Sequence, residues 1–118
     1  MSRFNLVPLT PATLVELGGA RLDARRLRGY AVMHEGVAVL AVGLAREWWW
    51  FRAFADARPG FDRSRVKVIA LRAMRSLLAR ADRPVYARAD PSVPRAPETL
   101  LWLGFEPLAL GFYRLRRR

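Results

Sequence analysis

Short apolar runs separated by turn-forming residues fill the first half of the chain and predict β-strands. Residues 4–9 predict the first strand. Thr10 followed by Pro11 is typical of a helix start, with threonine as the N-cap, and this short helix should end at Gly18. Residues 20–29 are basic and weakly helical in pattern, and we expect them to cover one face of the sheet.

The clearest local signal is a β-hairpin. Residues 30–33 and 37–44 are apolar, and Gly36 lies between them where a tight turn needs a positive φ. Residues 47–55 predict a third strand in the same region, which begins at Glu47 and contains four consecutive aromatic residues. Pro59 and Gly60 then predict a turn.

A long amphipathic helix dominates the second half of the pattern. It is expected over residues 64–81, with Ser64 as its N-cap, because the apolar positions fall on one broad arc at 100° per residue. This arc predicts an ordinary core face. Three more elements should follow: a strand at residues 84–89, a short helix at residues 97–103 ended by Gly104, and a last strand at residues 111–115.

The order of these elements predicts an α/β fold with three layers. A strand that feeds a long crossover helix and returns to a neighbouring strand requires a parallel pair, whereas the hairpin is antiparallel. The central sheet should therefore be mixed and twisted. Residues 47–55 should run antiparallel to residues 37–44 and parallel to residues 84–89. The mouth between a strand end and the following helix N-terminus is the natural ligand site.

Composition narrows the class of protein. With 118 residues, of which 53% are hydrophobic, a single domain over residues 1–118 is expected. The chain has no cysteine, one histidine and only 10 acidic residues, so a thiolate nucleophile is excluded and a protein-built metal centre is not expected. Neither a membrane helix nor a signal peptide is apparent, which predicts a soluble protein of the bacterial cytoplasm.

The formal charge of +11 allows two interpretations. Of the 21 basic residues only Lys67 is a lysine, and such arginine usage is typical of a GC-rich genome. Arginine also binds phosphate bidentately, as nucleic acid or a phosphorylated cofactor requires. The basic C-terminal end, residues 114–118, is either a solvated tail or a contact for an acidic protein or nucleic-acid partner.

The layout resembles the GCN5-related N-acetyltransferase (GNAT) family. The resemblance rests on the Leu6-Val-Pro-Leu-Thr-Pro opening, the central hairpin, the long helix and the ending Leu103-Gly104-Phe105. The shortened N-terminal half and the Trp-Leu-Gly-Phe ending look most like divergent acetyltransferase-like proteins of tailed bacteriophages. The resemblance implies transfer of an acetyl group from acetyl-CoA to an amine. It also implies that the parallel strands splay near Phe54 to admit the pantetheine arm, and that the protein can pair as a homodimer.

The resemblance also implies a pyrophosphate site at the start of the long helix. The family's motif is Arg/Gln-x-x-Gly-x-Gly/Ala, in which backbone N–H groups and the helix dipole hold phosphate. Valine occupies both glycine positions in this chain, and its branched side chain narrows the approach. The basic side chains could then hold phosphate from the flanks. The matching residues are Arg63, Ser64, Arg65, Val66, Lys67 and Val68.

The residues expected to carry catalysis are less well matched. Many family members use a tyrosine of the C-terminal helix as general acid, and that position is Leu100 here. A general base should lie on the central strands, where Glu47 is the candidate because neighbouring tryptophans would raise its pKa. The alternative is a solvated charge at a strand start. The run from Trp48 to Phe51 is expected in the core, with a stacking surface for single-stranded nucleic acid or a partner interface as alternatives.

Two function classes follow from these observations. The first is an N-acyltransferase in which acetyl-CoA and an amine react directly in a ternary complex. The second is a catalytically inactive GNAT-like module, such as a phage assembly or virion protein, that binds a protein or nucleic-acid partner. The arginine match and the family favour the first, and the missing glycines and tyrosine favour the second.

Overall fold

One mixed sheet of seven strands organises the chain. The computed structural model describes residues 3–116, so Arg117 and Arg118 of the predicted basic end lie outside the described residues. The strands lie in the order β1-β2-β3-β4-β5-β7-β6. Their bounds are β1 Phe4–Pro8, β2 Leu27–His34, β3 Val37–Arg46, β4 Phe51–Ala57, β5 Val85–Arg88, β6 Phe105–Pro107 and β7 Phe112–Leu115.

The first half folds largely as its pattern predicts. Helix α1, Pro11–Glu16, begins where the Oγ1 of Thr10 accepts a hydrogen bond from the Thr13 N–H at 3.2 Å. The hairpin of β2 and β3 turns at Glu35 and Gly36, whose φ values of 52° and 78° are both positive, as a two-residue hairpin turn requires. Both predictions are confirmed.

The prediction for residues 20–29 is wrong at its C-terminal end. Asp23 caps only a single 3₁₀ turn, Ala24–Arg26, and strand β2 already begins at Leu27. Leu27 pairs with Ala45 of β3, so cross-strand pairing extends the hairpin beyond the apolar run and overrides the weak local helical preference. Leu22 of the connection still packs against the core cluster on the α1 face of the sheet.

The predicted third strand begins four residues too early. Arg46 at the end of β3 pairs with Phe51 at the start of β4, so residues 47–50 form the connecting loop of a second hairpin. The Glu47 N–H donates to the Trp50 carbonyl at 2.9 Å and closes this loop. As a result Trp48 is 86% exposed and Trp49 is 56% exposed. The expectation that this tryptophan run lies in the core is wrong, and only Phe51 is buried.

The crossover helix is confirmed, but its cap differs from the prediction. A 3₁₀ turn, Arg63–Val66, leads into helix α2, Lys67–Ala79. Asp62 is the N-cap of this turn: its Oδ1 accepts from the Ser64 N–H at 3.0 Å and from the Ser64 hydroxyl at 2.7 Å. The carboxylate is the stronger acceptor, so Ser64 acts as a donor and not as the cap.

The parallel pair predicted from the crossover forms and then splays. Strands β4 and β5 pair only at Phe51 with Val85 and at Arg52 with Tyr86. From Ala53 onward β4 has no strand partner on that side. The expected opening near Phe54 is therefore confirmed.

The C-terminal elements complete the sheet. Helix α3, Ala96–Trp102, ends at Gly104, whose φ is 100°. Strand β6 follows at once and pairs antiparallel with β7. The sequence pattern missed β6, since three residues are too few to show an alternation.

Helices cover the two faces of the sheet unequally. Helices α2 and α3 pack on one face over the main core, which includes Phe51, Val66, Met74 and Leu78. Helix α1 alone packs on the opposite face, where Leu14 and Leu17 contact Ala31 and Ala41 of the central hairpin. Within residues 3–116 no helix covers the α1 face over β5 and β7.

Two facing glycines let β2 and β3 approach closely. Gly29 pairs with Gly43, and a Cβ on Gly29 would clash with the Val42 carbonyl oxygen and lie 2.8 Å from the Gly43 Cα. We expect Gly29→Ala to lower the free energy of unfolding by about 1–3 kcal/mol, measured by urea denaturation. Val37→Ala, at an exposed position of β3, is the control and should change it by less than about 0.5 kcal/mol. Equal stability of the two variants would contradict the clash.

Candidate functional site

The splay between β4 and β5 opens into a cavity of about 640 Å³. This volume lies within the range of small-molecule sites. One wall is the start of the crossover helix, another is the loop that leads into α3, and the floor is apolar. Its lining includes Ala53, Phe54 and Ala55 of β4, Ala87 and Arg88 of β5, Arg63, Ser64 and Lys67 near the helix start, and Thr99 and Leu100 of α3.

The edge of β4 supplies backbone hydrogen-bonding groups to this cavity. The Phe51 N–H donates to the Pro84 carbonyl at 2.8 Å, on the β5 side, whereas the Arg58 N–H donates to Val39 on the β3 side. Because ladder hydrogen bonds alternate along a strand, the groups of Ala53 and Ala55 face the splay. A ligand with amide groups can hydrogen-bond there as a short extra strand would.

The structure brings together three of the six residues of the predicted phosphate segment. Arg63, Ser64 and Lys67 line the cavity. The Arg65 guanidinium instead lies over the rings of Phe4 and Phe61, at 5.3 and 5.7 Å from their centroids.

The two valines of this segment lie away from the cavity. Val66 is buried in the main core with 1% exposure, and Val68 is 62% exposed on the helix surface. Neither side chain lines the cavity, so valine in place of glycine at these two positions does not narrow the cavity.

Two exposed aspartates flank the mouth in similar local turns. Asp62 accepts from the backbone and hydroxyl of Ser64, and Asp90 accepts in the same way from Ser92 at 2.9 and 2.7 Å. These hydrogen bonds lower the pKa of each carboxyl. The carboxylates of Asp62 and Asp90 repel an anionic ligand at the mouth. Such a ligand therefore needs the positive charges of Arg63 and Lys67 to bind there.

The environment of the Asp56 carboxyl favours its protonated form. It is partly buried on β4, and desolvation raises its pKa; the charge of Asp90 adds to this rise, and Arg63 and Arg52 partly offset it. It lies on the α1 side, where its Oδ2 is close to Gly19. Sequence reasoning missed this residue, although an acid inside the apolar strand Phe-Arg-Ala-Phe-Ala-Asp-Ala was a usable signal.

Glu47 lies outside the cavity. Its carboxylate is held in the loop before β4, where Oε2 accepts from Arg26 at 3.1 Å and Oε1 accepts from Arg52 at 3.2 Å. The role of general base assumed that Glu47 lies on a central strand beside the cavity. Glu47 lies neither on that strand nor in the cavity wall. Its role as general base stays a prediction.

The hydroxyl groups of the cavity are already engaged. Ser64 and Ser92 donate to aspartates, and the Thr99 hydroxyl donates to the Arg95 carbonyl at 3.2 Å. Leu100, where the resemblance implies a tyrosine, lines the wall, and the described lining contains no tyrosine. Along residues 3–116 no group of three potential metal ligands comes together, and no helix is long and apolar enough to cross a membrane.

Comparison with known proteins identifies the fold. No protein-family model matches the chain, and no curated protein does. Among solved structures, the ribosomal-protein-S18-alanine N-acetyltransferase of Escherichia coli superposes with a TM-score of 0.67 at 12% identity, over 96% of this chain and 93% of that chain. The chain has the GNAT fold.

Two further GNAT-fold structures were solved with the cofactor. The yncA protein of Salmonella typhimurium, solved with acetyl-CoA, gives a TM-score of 0.70 at 12% identity, over 96% of this chain and 93% of that chain. The YhhK protein of E. coli, bound to coenzyme A, gives 0.58 at 13%, over 97% and 99%. The three-layer α/β prediction is thus confirmed, and two of these neighbours hold acetyl-CoA or coenzyme A.

Proposed function

We propose that this protein is an N-acyltransferase that transfers the acetyl group of acetyl-CoA to an amine. The observation that carries the proposal is the cavity at the β4–β5 splay, with a basic helix start on one side and free strand-edge groups on another. The altered glycine motif argues against cofactor binding, whereas the GNAT fold and the cavity at the splay argue for it. We give the fold and the cavity more weight.

The residues present fit acetyl-CoA in three respects. Arg63 and Lys67 supply positive charge for the pyrophosphate, and Ser64 lies between them. Lys67 is the first residue of α2, where the helix dipole favours an anion. The edge groups of Ala53 and Ala55 can hydrogen-bond the amides of the pantetheine arm.

Asp56 is our candidate for the group that takes the amine proton. A carboxylate with a raised pKa, on the β4 strand at the splay, is better suited to this role than Glu47, whose oxygens are engaged by two arginines. The amine nitrogen attacks the acetyl carbon, the carbon–sulfur bond breaks, and the amine proton passes to Asp56. A thiol is acidic enough, with a pKa of about 8.5, to leave as thiolate, so the absence of a tyrosine at position 100 is tolerable.

The experiment that tests cofactor binding is a thermal shift with coenzyme A. A ligand at 100 times its dissociation constant should stabilise the protein by roughly 2.7 kcal/mol, which raises Tm by several degrees. The double variant Arg63→Ser, Lys67→Ser should lose most of this shift. Arg72→Ser, an exposed position of α2 outside the cavity, is the matched control and should keep it. An unchanged Tm at millimolar coenzyme A would reject the proposal.

Finer assignments accompany this proposal. A bacteriophage origin is proposed only from the likeness of the shortened N-terminal half and of the Trp-Leu-Gly-Phe ending to divergent phage proteins. A cytoplasmic location and pairing as a homodimer are proposed by analogy with the family alone. The catalytically inactive alternative has no support from the fold neighbours, and we favour the enzyme.

A further inference from the structure

The α1 face over β4, β5 and β7 carries an ordered array of basic and aromatic side chains. Arg52 pairs with Tyr86, Tyr86 pairs with Arg114, and Arg88 pairs with Phe112. Residues directly opposite in neighbouring strands point to the same side of the sheet. Basic and aromatic side chains therefore alternate across three strands. We call this surface, together with Trp49 and Trp50 of the adjoining loop, the open face.

The aromatic members of the open face leave flat ring surfaces accessible. Trp49 and Trp50 meet Tyr86 edge to face, with interplanar angles of 88° and 84° and centroid distances of 6.4 and 5.4 Å. Trp49 is 56% exposed and Phe112 is 43% exposed. These rings, with Arg52 and Arg88, line a shallow groove of about 460 Å³.

The charge of the open face is positive. Arg88 lies over the Phe112 ring at 5.4 Å from its centroid, and the described ion pairs do not include it. Arg52 donates from Nε to Glu47 at 3.2 Å, and its guanidinium lies over the Phe54 ring at 5.9 Å from the centroid. Arg114 is paired with Glu106 and is half exposed. Three guanidinium groups thus lie among aromatic rings, on a part of the sheet that no described helix covers.

We propose that the open face binds single-stranded nucleic acid. Unpaired bases stack on aromatic rings in a sequence-tolerant way, while arginines between the rings neutralise the backbone phosphates. A duplex keeps its bases stacked and cannot use the rings. An acidic protein surface would use the arginines but not the exposed tryptophan. The combination of charge and accessible aromatic faces therefore favours a single strand.

The test measures fluorescence anisotropy of a labelled 12-nucleotide oligothymidylate and of its oligouridylate counterpart. The protein should bind both single strands better than the matching duplex, with affinity that falls as salt rises. Trp49→Ala should weaken binding about five- to hundredfold, since one stacked base is lost, and Trp49→Phe should restore most of it. Trp102→Ala is the matched control, because Trp102 is 54% exposed and also carries an arginine, Arg75, over its ring.

Four outcomes would overturn the proposal. They are no binding at low salt, equal affinity of the Trp49→Ala and Trp102→Ala variants, preference for the duplex, and equally tight binding of polyglutamate. The last outcome would indicate an acidic-protein surface. Arg88 lines both the cofactor cavity and the groove, so coenzyme A can weaken binding through that one side chain. With saturating coenzyme A, Trp49→Ala should still weaken binding by the same factor, and loss of that difference would mean that the strand occupies the cavity at Arg63. All variants need unchanged circular dichroism, which their exposed positions lead us to expect.

Discussion

Replacement of Asp56 by asparagine is expected to lower the rate of acetyl transfer by roughly 10²–10⁴-fold, the usual contribution of a general base. Asparagine keeps the size of the side chain but cannot accept the amine proton. The measurement is release of the coenzyme A thiol, with the amine acceptor that gives the highest rate in a screen of small amines and peptides. The affinity for coenzyme A should stay unchanged, because Asp56 does not line the cofactor cavity.

The same residue should set the acidic limb of the pH profile. Burial raises the pKa of Asp56 above its ordinary value of 3.8, and only the ionised form accepts a proton, so kcat/KM should fall as pH drops through that raised pKa. Asp90→Asn is the control: it should leave the rate nearly intact and move the limb to lower pH, because the charge of Asp90 contributes to the rise. If Glu47→Gln lost the activity and Asp56→Asn kept it, the assignment of the base would be reversed.

Replacement of Phe51 by alanine is expected to lower the free energy of unfolding by about 3–5 kcal/mol. Phe51 is 1% exposed, lies at the start of β4 against β5, and belongs to the main core. Since domains of this size are stable by about 5–15 kcal/mol, the loss should remove about a fifth or more of the stability and lower the urea midpoint. Urea denaturation followed by circular dichroism measures the change.

Trp48→Ala is the matched control for this core position. Trp48 is only three residues away and is the larger side chain, yet it is 86% exposed, so its removal should change stability by less than about 0.5 kcal/mol. Similar losses in the two variants would mean that the tryptophan loop is packed, and the assignment of residues 47–50 to a loop would fall.

Sequence reasoning reached the topology because each of its signals was local or imposed by connectivity. The turn at Gly36 and the caps at Thr10 and Gly104 are properties of a few neighbouring residues. The parallel pairing of β4 and β5 follows from the length of the crossover helix. These signals do not depend on which distant side chains come together.

The errors occurred where pairing with a distant strand decides the structure. Arg46 pairs with Phe51, and this pairing leaves residues 47–50 as a loop. Nothing in the identity of an arginine or a phenylalanine specifies that these two residues pair. The same four aromatic residues would suit a buried strand equally well by composition. Hydrophobicity alone could not show that Phe51 belongs to the core and Trp48 to the surface.

The candidate site was predictable in part for a related reason. Arg63 and Lys67 were found because the site lies at a helix start, which the pattern locates. The raised pKa of Asp56 depends on burial and on Arg63, Arg52 and Asp90, which come from three separate parts of the chain. Such an environment exists only after folding, so a sequence shows the acid and not its surroundings.

The short junction between β4 and β5 also bears on the order of folding. Strands β1 to β4 join successive segments of the chain through antiparallel pairs, and such local contacts close quickly. The strands after the crossover are tied to this meander by two paired positions only. The first 57 residues can therefore form a nucleus, with α2 and the last three strands docking onto it in a later and slower step. The opening that would admit a cofactor therefore lies between β4 and β5, where the first four strands and the last three strands of the sheet come together during folding.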